Sequence, residues 1–363
     1  MKENESKNNR IDRRRFLKQA SAGAMLFSMT NMPFMNTDKS AMGVVVHSYA
    51  SRWNSKVDSR KYPGFKDAIE MMEHCHTIGA GGIQVIVRNW DNAFASRVRK
   101  VGEKLGMYLE GSIWLPKNSD EVEAFDKDVA SAKAAGATII RTVCLSGRRY
   151  ETFHTAQEFD AFRKNAIASL QLAEPVVRKH RVKLAVENHK DWRASELIDI
   201  LDKLDSEWLG VTLDFGNSIS LLEDPMDVVR TLAPRALTTH VKDMGVAEYE
   251  DGFLLSEVPL GQGLLDLPAI VNICRKYNPE ITFNLEMITR DPLKVPCLQD
   301  EYWEVFEGVG GRELARTIRL VREKKFSSEL PTVSQLNDEE RLALEEQNIL
   351  DSFKYSTAHL ALG

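Results

Sequence analysis

Cysteine is scarce: Cys75, Cys144, Cys274 and Cys297 are the only four in 363 residues, far apart and without a CxxC pair. That excludes a disulfide scaffold and leaves four buried thiols, with Cys144 a small core residue late in a predicted strand. An excess of positive charge is also missing. With 48 Lys and Arg against 53 Asp and Glu the formal charge is -5, which offers no basic face to a nucleic-acid backbone. No apolar run reaches the roughly 20 residues needed to span a bilayer as a helix. The weakly apolar stretch 20–35 is broken by Asn31 and Pro33. Finally, no glycine-rich fingerprint follows the first predicted strand, where the chain reads His47-Ser48-Tyr49-Ala50-Ser51-Arg52, so a dinucleotide-binding open sheet is excluded.

What is present begins with an address. Arg13-Arg14-Arg15-Phe16-Leu17-Lys18 followed by the Ala-, Gly- and Met-rich stretch resembles a twin-arginine export signal, with Asp12 where Ser or Thr usually precedes the arginines. The resemblance implies a periplasmic protein exported already folded, or a cytoplasmic one if the signal does not function. Residues 1–40 are therefore set aside as signal and linker.

From residue 41 to 325, short β-branched or apolar runs alternate with longer stretches of helical period, the pattern of repeated βα units around a parallel sheet. The strands are expected at 43–48, 82–87, 108–114, 138–145, 182–188, 210–215, 236–241 and 281–287. Amphipathic helices are expected at 65–78, 93–105, 119–135, 156–179, 194–204 and 267–277, with Gly79, Gly106 and Gly136 as helix-ending residues. Eight units close most naturally into a (β/α)8 barrel. Residues 326–363 form a C-terminal extension, in which Asn337-Asp338-Glu339-Glu340 opens a helix carrying Leu342, Leu344, Ile349, Leu350 and Phe353. Packing against the barrel is its expected role, with a subunit contact, and hence a homo-oligomer, as the rival.

Reactive groups of such a barrel stand at the C-terminal ends of its strands. Strands five to eight end in Glu187-Asn188-His189, Asp214-Phe215-Gly216-Asn217, His240-Val241-Lys242-Asp243 and Glu286-Met287. Three carboxylates so close repel one another unless something positive sits among them, and three oxygen donors with one imidazole suit a divalent cation with open positions. Glu187, Asp214, His240 and Glu286 are accordingly the expected ligands of one ion, manganese first, with magnesium, cobalt or zinc also compatible. Lys242 and His189 each stand two residues beyond a ligand on the same strand face, and Asn217 lies three beyond Asp214; all three are candidates to touch substrate. His47, Arg88 and Trp114 on the rim are further candidates, since flat rings beside polar donors suit a sugar; Trp90 and Trp192 follow other strand ends. Arg148 and Arg149 are either phosphate contacts or solvated.

Taken together, Val186-Glu187-Asn188-His189, Leu213-Asp214-Phe215-Gly216-Asn217, His240-Val241-Lys242-Asp243 and Leu285-Glu286, with Pro259-Leu260-Gly261-Gln262-Gly263 and Asp266, resemble the xylose isomerase-like barrel superfamily of sugar phosphate isomerases and epimerases. The resemblance implies one metal on the four ligands, and catalytic acid/base roles for Glu187 and Glu286 in moving a proton beside a substrate carbonyl through an enediolate. The substrate it implies is a small carbohydrate, a keto-sugar or a keto-glycoside. The ketose epimerases of that superfamily have a His where this chain has Asn217 and an Arg where it has Val246. A lyase of the same superfamily, acting by elimination from a keto-glycoside or dehydration of an inosose, is therefore the alternative, and a non-catalytic exported sugar-binding protein is the rival of another class. A metal-dependent endonuclease on this barrel would need a histidine-rich three-metal cluster, against which stand only eight His and the acidic balance.

Overall fold

The structure, a computed structural model, describes residues 41–363 apart from Asn54 and Lys56. The arginine-led segment read as an export signal lies outside the described residues.

Eight parallel strands close a barrel: β1 (Gly43–Val45), β2 (Gly82–Ile86), β3 (Tyr108–Ser112), β4 (Ile139–Thr142), β5 (Lys183–Glu187), β6 (Leu209–Asp214), β7 (Ala236–Val241) and β10 (Thr282–Leu285). Helices return the chain between them, among them Ala68–Thr77, Asn92–Leu105, Val122–Ala134, Ala156–His180, Ala194–Leu204 and Leu267–Tyr277, close to the expected ranges. Gly79, Gly106 and Gly136 take φ of +87°, +67° and +101° at the returns, the left-handed values that end a helix without a Cβ clash.

The strands are buried on both faces, but the two faces differ. Ile83 and Val85 flank Gln84, Leu109 and Gly111 flank Glu110, Ile140 precedes Arg141, and Leu213 and Val241 alternate with Asp214 and His240; all are buried except that Gly111 has no side chain to place. Residues i and i+2 of a strand share a face, so each strand turns an apolar set one way and a polar set the other. The polar sets meet each other. Glu110 accepts hydrogen bonds from Gln84 (2.9 Å), Thr238 (2.9 Å), Asn284 (3.1 Å) and Thr282. The barrel interior is therefore polar along this side, and the apolar faces pack outward on the helices.

A three-stranded antiparallel sheet not expected from the sequence grows from the end of β7: β8 (Asp243–Tyr249), β9 (Gly252–Val258) and β11 (Leu293–Val295). Glu250 and Asp251 form its two-residue tip, and Gly252, which follows them, has φ +152°. This hairpin carries Glu257 back over the strand ends.

The C-terminal helix is Asp338–Tyr355, opened by a capping box in which Asn337 accepts from Glu340 N and Glu340 accepts from Asn337 N, both at 3.0 Å. It packs on the rim of the barrel, but not by an apolar stripe alone. Leu342, Ile349 and Phe353 are buried, whereas Leu350 is exposed, and Glu345, Asn348 and Ser352 take the intervening buried positions. Glu345 accepts from the backbone N–H of Ser51 (2.7 Å) and Arg52 (3.2 Å), Glu346 pairs with Arg52 (2.8 Å), Asn348 donates to Thr289 (2.9 Å), and Ser352 Oγ accepts from Leu260 N (3.3 Å). One helix thus ties down the loops after β1, β9 and β10. Replacing Glu345 by Leu leaves two backbone donors without an acceptor, and a loss of about 2 kcal/mol is expected. Urea unfolding measures it as a lower midpoint at unchanged slope, with Glu345→Gln intermediate.

Candidate metal centre at the barrel mouth

Glu187, Asp214, His240 and Glu286 come together as the strand ends predict, with one ligand atom from each lying within 4.8 Å of the others and all four buried. Each is held by its own local device. Asn188 pairs with the backbone of Asp214, donating from Nδ2 to its carbonyl (2.9 Å) and accepting from its N–H (2.8 Å), as a strand neighbour would. Asp214 Oδ1 accepts from the N–H groups of Gly216 (2.9 Å) and Asn217 (2.8 Å), which turns Oδ2 inward. Glu286 is bracketed by Ser48, whose hydroxyl donates to Leu285 O (2.9 Å) and accepts from Met287 N (3.0 Å).

The imidazole is oriented from below. Glu110 can only accept where Gln84 meets it, so the Gln84 amide turns its NH2 to Glu110 and its oxygen to His240 Nε2, 2.7 Å away. Nε2 therefore carries the hydrogen, and the Nδ1 lone pair faces Glu187 and Glu286, both at 3.5 Å, and Asp214 at 3.9 Å. Nδ1 has no hydrogen-bond partner. Asp214 Oδ2 likewise receives no hydrogen bond, although Lys242 Nζ lies 2.8 Å away. Two unsatisfied buried atoms, Asp214 Oδ2 and His240 Nδ1, converge with the carboxylates of Glu187 and Glu286 into the donor set a divalent cation takes, and the residues fit one.

Two cations buttress the ring: Arg141, which the sequence does not single out, and Lys242, expected there either as a substrate contact or as the salt-bridge partner of a rim carboxylate. Arg141 on β4 donates to Glu187 Oε2 from Nε (2.7 Å) and Nη2, while its Nη1 donates to Ser112 Oγ (3.1 Å). Lys242 Nζ donates to Glu286 Oε2 (2.6 Å). Burial works against the charge of Glu187, but Arg141 and His240 hold its carboxyl well below the usual range; Glu286 is held down in the same way by Lys242 and His240. Burial pushes Asp214 up, partly offset by Lys242. Burial also opposes a charge on His240, yet Glu286 and Glu187 outweigh it and push the imidazole up to about 9. Without a metal that favours a proton on Nδ1; a divalent ion bound there would displace it and take the lone pair.

The other expected site residues fall into two groups. His47 Nδ1–H donates to Glu286 Oε1 (3.1 Å), and Asn217 donates from Nδ2 to Glu187 Oε1 (3.0 Å) while its Oδ1 accepts from Lys190 and from Lys242 (3.5 Å). The Asn217 amide is thus spent within the site. His189 is kept neutral by burial, its pKa lowered to about 3, and its Nδ1 is buried without a partner. Arg88 and Trp114 do not touch the four ligands. They line a neighbouring cavity of about 530 Å³ above β2 and β3, with the guanidinium 5.7 Å from the ring centroid and Trp114 57% exposed. Ser112, a partner of Arg141, also lines this cavity.

Two rim readings are corrected. Trp192 is fully buried and stacks on Phe162 at 5.0 Å, so it is core and not a sugar platform. Arg149 is buried and bonded to Val305 O (2.9 Å) and Glu196 (2.8 Å), so it is neither solvated nor a phosphate contact, while Arg148 stays half-buried in a pair with Glu151 (2.6 Å). Sequence reading passed over Gln84, Glu110, Arg141, Lys190, Glu257 and Arg290. The first three had a signal: a long polar side chain in mid-strand of an otherwise apolar parallel strand must face inward to other polar groups.

The Gln84–His240 contact generates a direct expectation. Gln84→Leu removes the acceptor that fixes the imidazole tautomer, and manganese affinity should fall roughly 10–100-fold. Calorimetric titration of the variant checks it against the wild type.

Comparison with known proteins places these features. Residues 72–304 match the family model described as xylose isomerase-like TIM barrel. The chain is 27% identical over 235 residues to 3-oxo-isoapionate decarboxylase of Pectobacterium atrosepticum, spanning 63% of this chain and 79% of that protein. Among solved structures, D-psicose 3-epimerase in the presence of D-fructose superposes with a TM-score of 0.56 at 14% identity, over 88% of this chain and 99% of that one. A xylose isomerase-like TIM barrel protein from Mycobacterium smegmatis in complex with magnesium gives 0.54 at 15% identity, over 78% of this chain and 99% of that one. At such identities the two structures speak for the fold alone. By the family model, which covers most of its barrel, the chain belongs to the xylose isomerase-like TIM barrel family.

Proposed function

We propose that this protein is a divalent-metal-dependent enzyme that converts a keto-sugar through its enediolate or enolate. The observation that carries the reading is the unsatisfied Nδ1 of His240 facing three buried carboxylates, with Lys242 beside them. A divalent ion on Glu187, Asp214, His240 and Glu286, manganese by preference, would supply Lewis-acid polarisation of the substrate carbonyl and its neighbouring oxygen. The chain's own residues do the rest. Lys242, fixed by Asp214 and Glu286, can turn the N–H that reaches Asn217 only at 3.5 Å toward the oxygen on which negative charge develops. Arg141 and Asn217 immobilise Glu187 through both its oxygens. His47, half-exposed and bonded to Glu286, is placed to pass a proton between solvent and the reacting carbon.

The isomerase or epimerase expectation has Glu187 and Glu286 removing and returning a C–H proton. Both carboxylates are engaged by cations and held below their usual range, which makes each a weak base. Both oxygens of Glu187 are engaged by Arg141 and Asn217 and both of Glu286 by His47 and Lys242, which supports instead a lyase, in which a C–C bond to a carboxylate breaks, its electron pair enters the enolate, carbon dioxide leaves and a proton is returned to carbon. The decarboxylase relative supports the same direction. Both routes pass through the enolate, and both take a solvent proton at carbon.

The test uses manganese-loaded protein in D₂O with a panel of ketoses, 3-oxo-glycosides and 3-oxo-sugar acids. Deuterium is expected at a product carbon, with carbon dioxide released if the lyase reading holds and mass conserved if the isomerase does. Lys242→Met should lower kcat by about 100–1,000-fold. Sugar binding without deuterium incorporation from any member of the panel would contradict the enzyme reading and support the sugar-binding one.

A further inference from the structure

Around the ligand cluster, every cation but one forms an ion pair with a carboxylate. Glu187 is paired with Arg141, Asp214 and Glu286 share Lys242, and Glu257 is paired with Arg290 and lies 4.0 Å from Lys242. Lys190 is the cation left over. It is 3% exposed, and among the described residues no carboxylate forms an ion pair with it; its ammonium donates to the neutral Oδ1 of Asn217. The neighbouring Asp191 is spent on the backbone N–H groups of Leu145 (3.2 Å) and Trp192 (2.8 Å). Lys242 reaches the same Asn217 oxygen at 3.5 Å, so two buried ammonium groups converge on one amide. A buried cation without an ion-pair partner, set against a second cation, is costly unless an anion completes the arrangement.

The balance at the mouth points the same way. Leaving aside Glu110 below His240 and Asp191 on its backbone donors, four carboxylates, Glu187, Asp214, Glu286 and Glu257, stand among four cations, Arg141, Lys190, Lys242 and Arg290. A divalent ion added to this set leaves it two charges positive. A neutral sugar would leave that excess uncompensated, whereas a substrate carboxylate offsets part of it, and in a decarboxylation the same single charge passes to the enolate as carbon dioxide leaves.

We propose that Lys190, flanked by Lys242 and Arg290, forms a subsite for a substrate carboxylate, so that the enzyme acts on a keto-sugar acid. The proposal rests on the metal-dependent reading above and adds the substrate class to it. A carboxylate is the anion that fits because the subsite adjoins the ligands: Lys242 touches Asp214 and Glu286 and shares Asn217 with Lys190. The charged group must therefore be attached close to the reacting carbon, not at the far end of a sugar where a phosphate ester would sit. Arg290, whose side chain is 31% exposed, opens this corner toward solvent, and the unpartnered Nδ1 of His189 offers a further polar contact in the same loop as Lys190.

The experiment titrates manganese-loaded full chain calorimetrically with glycolate, tartronate and 2-phosphoglycolate. Glycolate presents a hydroxyl and one carboxylate, tartronate adds a second carboxylate on the same carbon, and phosphoglycolate carries phosphate. Tartronate is expected to bind at least tenfold more tightly than glycolate, and Lys190→Met to erase that difference while leaving glycolate binding in place. Lys190→Gln, which keeps a polar group against Asn217, gives the same answer should the Met variant fold poorly, and a manganese titration of each variant reports that its site is intact. Equal affinities in the wild type, or a preference that survives in both variants, would overturn the proposal. Tighter binding of phosphoglycolate than of tartronate would overturn the choice of carboxylate. Failure of the wild type to bind manganese at all would bring down the metal reading itself, and the metal titration shows that outcome separately.

Discussion

Three buried carboxylates around one imidazole lone pair are the constraint on which the remainder of this structure turns. Like charges at such separations in a water-poor interior cannot all remain ionised without positive charge among them. The barrel answers with Arg141 outside Glu187, Lys242 between Asp214 and Glu286, and an unsatisfied Nδ1 on His240 at the centre. Holding that arrangement explains several features that look unrelated in sequence. The Glu110–Gln84 pair deep in the barrel exists to face His240 with an oxygen. Asn188 and Ser48 fix the backbone on either side of a ligand.

The same demand extends outward to the rim. Asp243, at the start of the hairpin, accepts from the N–H groups of Gly261 (3.0 Å) and Gly263 (2.9 Å) through Oδ2, and from Met244 (2.9 Å) and Leu265 (3.1 Å) through Oδ1. A Cβ at residue 263 would lie 2.2 Å from Asp243 Oδ1, so glycine there is a steric requirement of this turn. The turn anchors the hairpin that brings Glu257 over the mouth, and the C-terminal helix fastens the loops that carry His47 and follow Glu286. Rigidity of the charged ring is thus distributed over chain segments far apart in sequence.

Much of this was legible before any coordinates. Periodicity located all eight barrel strands within a few residues, and strand-end position alone selected Glu187, Asp214, His240 and Glu286. The buttressing charges were not legible, because an arginine in Ile139-Ile140-Arg141-Thr142 or a lysine in His189-Lys190-Asp191 gains meaning only from partners on other strands. Tryptophan placement failed for the opposite reason. Trp192 and Trp114 both follow strand ends, but the helix Ala156–His180 supplies Phe162 to cover one, whereas among the described residues no ring stacks on the other. In the C-terminal helix the apolar period marked the buried side, yet Glu345 and Ser352 bury there too, because the surface they meet is a set of backbone groups and not an apolar wall.

The central claim, that the four strand-end residues hold one divalent ion through three carboxylates and His240 Nδ1, is tested most directly by pulsed electron paramagnetic resonance of the manganese-loaded chain. One manganese per chain, with nitrogen coupling from a single histidine that disappears in His240→Gln, is the result this account predicts. Manganese that fails to bind, or binds without nitrogen coupling, would contradict it.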